Sequence, residues 1–179
     1  DVGSLTATLG GAPVTFTAGA ATATFTPASN LSDGQSVLEV RIRDLAGHVS
    51  APALRTVFID TRAAVVTLTP ADGANLASAS PTLRATLIDP SPSSGIQTGS
   101  IVVELDGQDV TAVATVSASE VTFTPSAPLA EGSHSWSVRA LDAAANVGAT
   151  SATLFVDTRA PVIASTPSDN TTLNVVTPT

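Results

Sequence analysis

Between Pro81 and Asp157 apolar and polar residues alternate in short runs separated by Gly, Pro, Ser and Asp. A period of two puts one face of an extended chain in a core and the other in water, so the runs predict β-strands. In Thr82-Leu83-Arg84-Ala85-Thr86-Leu87-Ile88 the larger apolar side chains alternate with Arg and Thr. Ser100–Leu105 is a second such run, and Asp106-Gly107 after it is a hairpin signal, because glycine accepts the positive φ that the turn requires. Val121–Thr124 and Ser135–Leu141 alternate again, Ala152–Val156 closes the series, and Val65–Pro70 opens it. The reading is seven strands over residues 61–157, with no convincing helix, the pattern of an all-β immunoglobulin-like or fibronectin-III-like sandwich. Trp136, the largest side chain, is expected as a core anchor; a sugar-stacking platform is the alternative role, disfavoured because Ser135 and Ser137 occupy the outward positions beside it.

The pattern occurs more than once. Phe58-Ile59-Asp60-Thr61-Arg62-Ala63 returns as Phe155-Val156-Asp157-Thr158-Arg159-Ala160. Phe25-Thr26-Pro27 answers Phe123-Thr124-Pro125, Gly34 answers Gly132, Arg41 answers Arg139 and Asp44 answers Asp142, all 98 residues apart, while Asp60 and Asp157 are 97 apart. A period near one hundred is too long for a solenoid repeat and fits a tandem array of small domains. Aligning Gly3-Ser4-Leu5 with Gly99-Ser100-Ile101 gives the expected organisation. Residues 1–60 form an incomplete copy lacking its first two strands, 61–157 a complete copy, and 158–179 the opening strand segment of a third. A sandwich without its opening strands leaves a sheet edge and a core face open. Two explanations follow: a piece of a longer repeat protein, or head-to-tail strand donation between chains, with residues 158–179 supplying part of what residues 1–60 of the next chain lack, to make a fibre.

Composition narrows the function classes. With 43% apolar residues the chain can bury a core, but only 3% are aromatic, so Val, Leu, Ile and Ala must fill it. All seven basic residues are Arg against fifteen acidic ones, a net charge of −8, which excludes a basic nucleic-acid surface. The acidity serves solubility first, and it also suits divalent cations wherever carboxylates cluster. Cysteine is absent, and with it disulfides, thiolate metal sites and cysteine nucleophiles. No apolar run approaches the roughly 18 residues of a membrane helix, so no direct membrane insertion is expected. His48 and His134 lack the Ser and Asp spacing of a catalytic triad, and neither a Gly-rich phosphate loop nor a carboxylate pair on a recognisable scaffold is present. The expectation is therefore a non-catalytic protein. Asn30-Leu31-Ser32 and Asn170-Thr171-Thr172 match the glycosylation sequon, a motif short enough to arise by chance.

The run from Gly132 through Asp142-Ala143-Ala144-Ala145-Asn146 to Gly148, followed by Phe155-Val156-Asp157-Thr158-Arg159-Ala160-Pro161, resembles the bacterial Ig-like repeats of large surface and secreted adhesin-type proteins. In that family the penultimate strand closes with an Asp-x-Ala-Gly-Asn loop and the domain ends in a Val-Asp-Thr-x-Ala-Pro linker. Here Ala145 replaces the loop glycine, Gly47-His48 replaces Gly-Asn in the first copy, and Ala64 replaces the linker proline. The resemblance implies an extracellular or cell-surface location and a stalk or spacer role with neighbouring copies as partners. A glycan- or protein-binding adhesin module and an accessory domain of a secreted enzyme are the alternatives.

The candidate chemistry is carboxylate. In a seven-stranded sandwich Asp142 and Asp157 sit at opposite poles, but Asp60 ends the first copy beside the pole of the second that carries Asp89, Asp142 and Asn146. Three carboxylates and an amide oxygen meeting there suit Ca²⁺, which takes six to eight oxygens; cation-stiffened junctions in some Ig-like adhesins agree with this. The competing expectation is structural: Asp44 and Asp142 cap turns, and Asp60 and Asp157 pair with Arg62 and Arg159.

Overall fold

The computed structural model describes residues 4–19, 22–165 and 172. Most of the segment read as a third copy, and the Asn170 sequon, lie outside the described residues; residues 161–165 carry no assigned strand. The first copy contains β1 (Thr6–Leu9), β2 (Ala12–Pro13), β3 (Thr15–Ala18), β4 (Ala23–Thr26), β5 (Gly34–Arg41) and β6 (Ala53–Ile59). In the second copy come β7 (Val65–Thr69), β8 (Ala74–Leu76), β9 (Leu83–Ile88), β10 (Ile96–Leu105) and β11 (Gln108–Asp109). After a 3-10 turn at Thr111–Val113 follow β12 (Thr115–Val116), β13 (Glu120–Phe123), β14 (Gly132–Asp142) and β15 (Val147–Val156).

Residues 65–156 form a two-sheet immunoglobulin-like sandwich. One sheet has the order β11-β10-β14-β15-β8 and the other β12-β13-β9-β7. Neighbours pair antiparallel except β8, which runs parallel to β15 with Leu154 opposite Ala74. The alternation does what the sequence predicts: in β9 Leu83, Ala85 and Leu87 are buried while Arg84 and Ile88 face water. These meet Val66, Leu68, Val121 and Phe123 of their own sheet and Ile101, Val103, Trp136, Val138, Ala140, Ala152 and Leu154 of the other. Trp136 is 1% exposed and faces this core, which leaves no ring surface for a sugar.

The first copy repeats the second pair by pair. Thr17 opposite Thr24 in β3–β4 corresponds to Thr115 opposite Thr122 in β12–β13, and Ala7 opposite Val40 corresponds to Val103 opposite Val138. Its strands form a sheet of order β2-β1-β5-β6 and the separate hairpin β3-β4. Among the described residues of this copy, no strand stands where β7, β8 and β9 stand in the other.

Candidate metal centre at the junction

The linker between the copies is fixed by hydrogen bonds that explain the shared Asp-Thr-Arg-Ala run. Asp33, in the turn before β5, accepts the backbone N–H of Thr61 at 3.1 Å and its hydroxyl at 2.9 Å. Glu131, 98 residues later, does the same for the N–H and hydroxyl of Thr158. Asp60 Oδ1 accepts the N–H of Arg62 and Asp157 Oδ1 that of Arg159, both at 3.1 Å. The Asp–Arg relationship is thus a turn built on backbone N–H groups, where the sequence allowed a side-chain ion pair. The guanidinium of Arg62 instead reaches Asp33 (3.3 Å) and the carbonyl of Ser91 (2.6 Å).

Asp60 follows β6, Asp89 follows β9 and Asp142 ends β14. The fold brings one carboxylate oxygen of each to within 4.8 Å of the others. Asp60 is 7% exposed, Asp142 fully buried and Asp89 half-buried. Loop amides orient all three. Asp60 Oδ2 accepts the N–H of Ser94 at 2.8 Å, and Asp89 Oδ2 accepts the Ser93 hydroxyl (2.7 Å) and the Gly95 N–H (2.6 Å). Asp142 Oδ1 accepts the N–H of Asn146 at 2.8 Å. Hydrogen bonding by Ser94 first, then by the Arg62 amide, holds the Asp60 carboxyl below the usual carboxylate range.

Asn146 approaches the cluster with its nitrogen. Nδ2 donates to the Asp60 carbonyl at 3.0 Å and to Asp142 Oδ2 at 2.8 Å. The sequence reading had an amide oxygen here; two acceptors on either side orient the donor end inward instead, so Asn146 ties the two copies together and positions Asp142. Sequence reasoning also missed Ser94 and Gly95, which act through backbone N–H groups that no side-chain pattern reveals. The pair Asp33 and Glu131 was visible as two acidic positions 98 apart.

Among the described residues no ion pair reaches Asp60, Asp89 or Asp142. Asp89 Oδ1 is buried and, among the described residues, accepts no hydrogen bond. Three carboxylates at such separation repel one another unless protonated or bridged by a cation. Two oxygens on opposite sides of a Ca²⁺ stand about 4.6–5.2 Å apart, the scale of this cluster. The donor set is all oxygen, which fits a hard cation.

His48 and His134 take structural positions. His48 Nδ1 contacts Asp44 Oδ2 at 2.9 Å and its N–H donates to Asp44 Oδ1 at 2.8 Å, so His48 holds Asp44 as Asn146 holds Asp142. Asp44 and Asp142 thus both cap turns. His134 bridges Asp106 and the Ala130 carbonyl.

No helix of the described residues is long and apolar enough to cross a membrane. Among curated proteins no sequence matches the chain. Fibronectin(III)-like modules of Clostridium thermocellum CbhA are similar at 17% identity and TM-score 0.43, with 90% of this chain and 82% of that one covered. A 1.5-MDa bacterial ice-binding adhesin is similar at 19% identity and TM-score 0.39, covering 86% and 52%. Bacteroides ovatus SGBP-B, solved with a mixed-linkage heptasaccharide, gives 20% identity and TM-score 0.31, covering 85% and 38%. The bacterial Ig-like domain family model matches residues 79–158, a little under half of the chain. Residues 79–158 are a bacterial Ig-like domain.

Proposed function

We propose that the chain is a non-catalytic spacer from an extracellular bacterial repeat protein, with neighbouring copies of the same repeat as its partners and a divalent cation, Ca²⁺ by preference, bracing the junction. The observation that carries this reading is the trio Asp60, Asp89 and Asp142, contributed by both copies, which no ion pair reaches among the described residues and in which Asp89 Oδ1 accepts no hydrogen bond from them. Asp60, Asp89 and Asp142 would hold the ion. A bound cation would supply the positive charge that cancels their repulsion and would join the end of β6 to the loop after β9 and to the end of β14. Water would complete the six to eight oxygens that Ca²⁺ takes. The hydrogen bonds that Asp33 accepts from Thr61 and that Asn146 donates to the Asp60 carbonyl hold the same joint, so the ion would add rigidity to a joint already formed.

Calorimetric titration of Ca²⁺ into the full chain tests the reading, with melting curves in Ca²⁺ and in a chelator beside it. Binding heat together with a higher melting temperature is the expected result; no heat and no change in melting rejects the ion. Small-angle X-ray scattering then reads the spacer role: the maximum dimension should be fixed in Ca²⁺ and spread to a broader range in the chelator.

A further inference from the structure

The outer face of the second copy carries two opposite charges that its own fold leaves apart. Val102, Glu104, Ser137, Arg139, Ala149 and Ser151 line a shallow groove of about 460 Å³ across β10, β14 and β15. They form two rows: Glu104, Ser137 and Ser151 stand opposite one another, and so do Val102, Arg139 and Ala149. Glu104 accepts a hydrogen bond from the Ser137 hydroxyl at 3.2 Å. Among the described residues neither Glu104 nor Arg139 joins an ion pair. The first copy has the matching groove, lined in part by Thr6, Thr8, Glu39 and Arg41, but there Arg41 pairs internally with Glu39 at 2.5 Å. Ser137 stands where that glutamate stands, so Arg139 lacks the partner that Arg41 has.

We infer that this face binds the same face of a second chain, turned end for end. A half-turn about an axis that lies in the face, runs across the strands and passes over Val138 exchanges the two rows. Glu104 of each chain then meets the row that carries Arg139 of the other, which makes two Arg139 to Glu104 pairs in one self-complementary interface. A partner of one sign would attract one of these groups and repel the other, whereas the same face turned over supplies both signs at the right offset. Beside the charges the half-turn lays Ser151 over Ala149, and residues this small let two sheets approach to about 10 Å. β14 already has β10 on one side and β15 on the other, so the contact is made by side chains and uses no strand edge.

Sedimentation equilibrium of the full chain over a wide concentration range tests this, and a mass that rises toward that of a dimer is expected. Arg139→Glu and Glu104→Arg should each weaken association roughly tenfold or more, because each sets like charges face to face. Mixed in equal amounts, the two variants should associate as the unsubstituted chain does. Ser137→Glu should also weaken association, by pairing Arg139 internally, whereas Arg41→Glu in the first copy should leave it unchanged. Glu104, Arg139 and Arg41 are exposed, so their substitution leaves the core intact. A chain that stays monomeric throughout overturns the inference, and polyglutamate binding that Arg139→Glu abolishes would then assign the face to an acidic partner. A dimer that Arg139→Glu and Glu104→Arg both leave intact overturns it as well, by placing the contact on another surface.

Discussion

A Cβ placed on Gly148 would stand 2.0 Å from the carbonyl oxygen of Ala64. The linker of the second copy therefore lies directly on the start of β15, and a residue with no side chain makes that approach feasible. Gly148→Ala must displace backbone, not a flexible side-chain tip. A loss of about 2–3 kcal/mol is expected, at the upper end for overpacking. Chemical denaturation of the second copy measures it, and a loss below about 0.5 kcal/mol would mean that the linker moves freely.

Ala145 has φ of 69°, and Gly47, its counterpart, has φ of 92°. A side chain in the left-handed region costs roughly 1–2 kcal/mol, partly offset by the greater unfolded-state freedom of glycine. Ala145→Gly should therefore stabilise the second copy by up to about 1 kcal/mol, read as a rise in melting temperature. Gly47→Ala in the first copy should have the opposite sign.

Both ring nitrogens of His134 face acceptors, Asp106 Oδ2 at 2.7 Å and the Ala130 carbonyl at 2.9 Å, which suits an imidazolium. The hydrogen bond accepted by Asp106, followed by that accepted by the Ala130 carbonyl, raises its pKa above the ordinary value of 6.5. A raised folded value means stability that is fully present below the unfolded pKa and is lost as pH climbs through the folded one. Burial works to raise the Asp106 carboxyl, but bonding to His134 and to the Ser135 amide leaves it lowered, so its own contribution fades in acid. Urea unfolding between pH 5.5 and 9 should show stability falling on the alkaline side. Asp106→Asn should flatten that slope; a slope that survives the substitution assigns the titration elsewhere.

Replacing one member of the carboxylate trio should have opposite effects with and without cation. In a chelator, Asp89→Asn relieves like-charge repulsion and should raise the melting temperature. In Ca²⁺ the same variant should lose most of the gain that the unsubstituted chain shows. Melting curves of both proteins under both conditions decide: a variant less stable in both is simply one that needed the Asp89 hydrogen bonds to Ser93 and Gly95.

The strands that the sequence revealed are those long enough for alternation to register, such as β9 and β14. β8 escaped because three residues beside Asp72-Gly73 carry no period, and the residues of β15 that it pairs with lie 80 positions away. Asp60, Asp89 and Asp142 were legible because sandwich topology alone assigns each to a pole. The orientation of Asn146 was not legible, since an amide turns toward whichever groups surround it, and those are set by the closed loop. Likewise the guanidinium of Arg62 followed Asp33 and the Ser91 carbonyl, two groups that only the folded joint brings within reach.

The caps that Asp33 and Glu131 place on Thr61 and Thr158 grip main-chain N–H groups as well as hydroxyls. A main-chain donor belongs to every amino acid but proline, so the bend at each joint is largely indifferent to spelling. Linkers shuffled at these threonines should keep the pitch of a tandem array, and proline alone should act as a misprint that lets successive segments swivel.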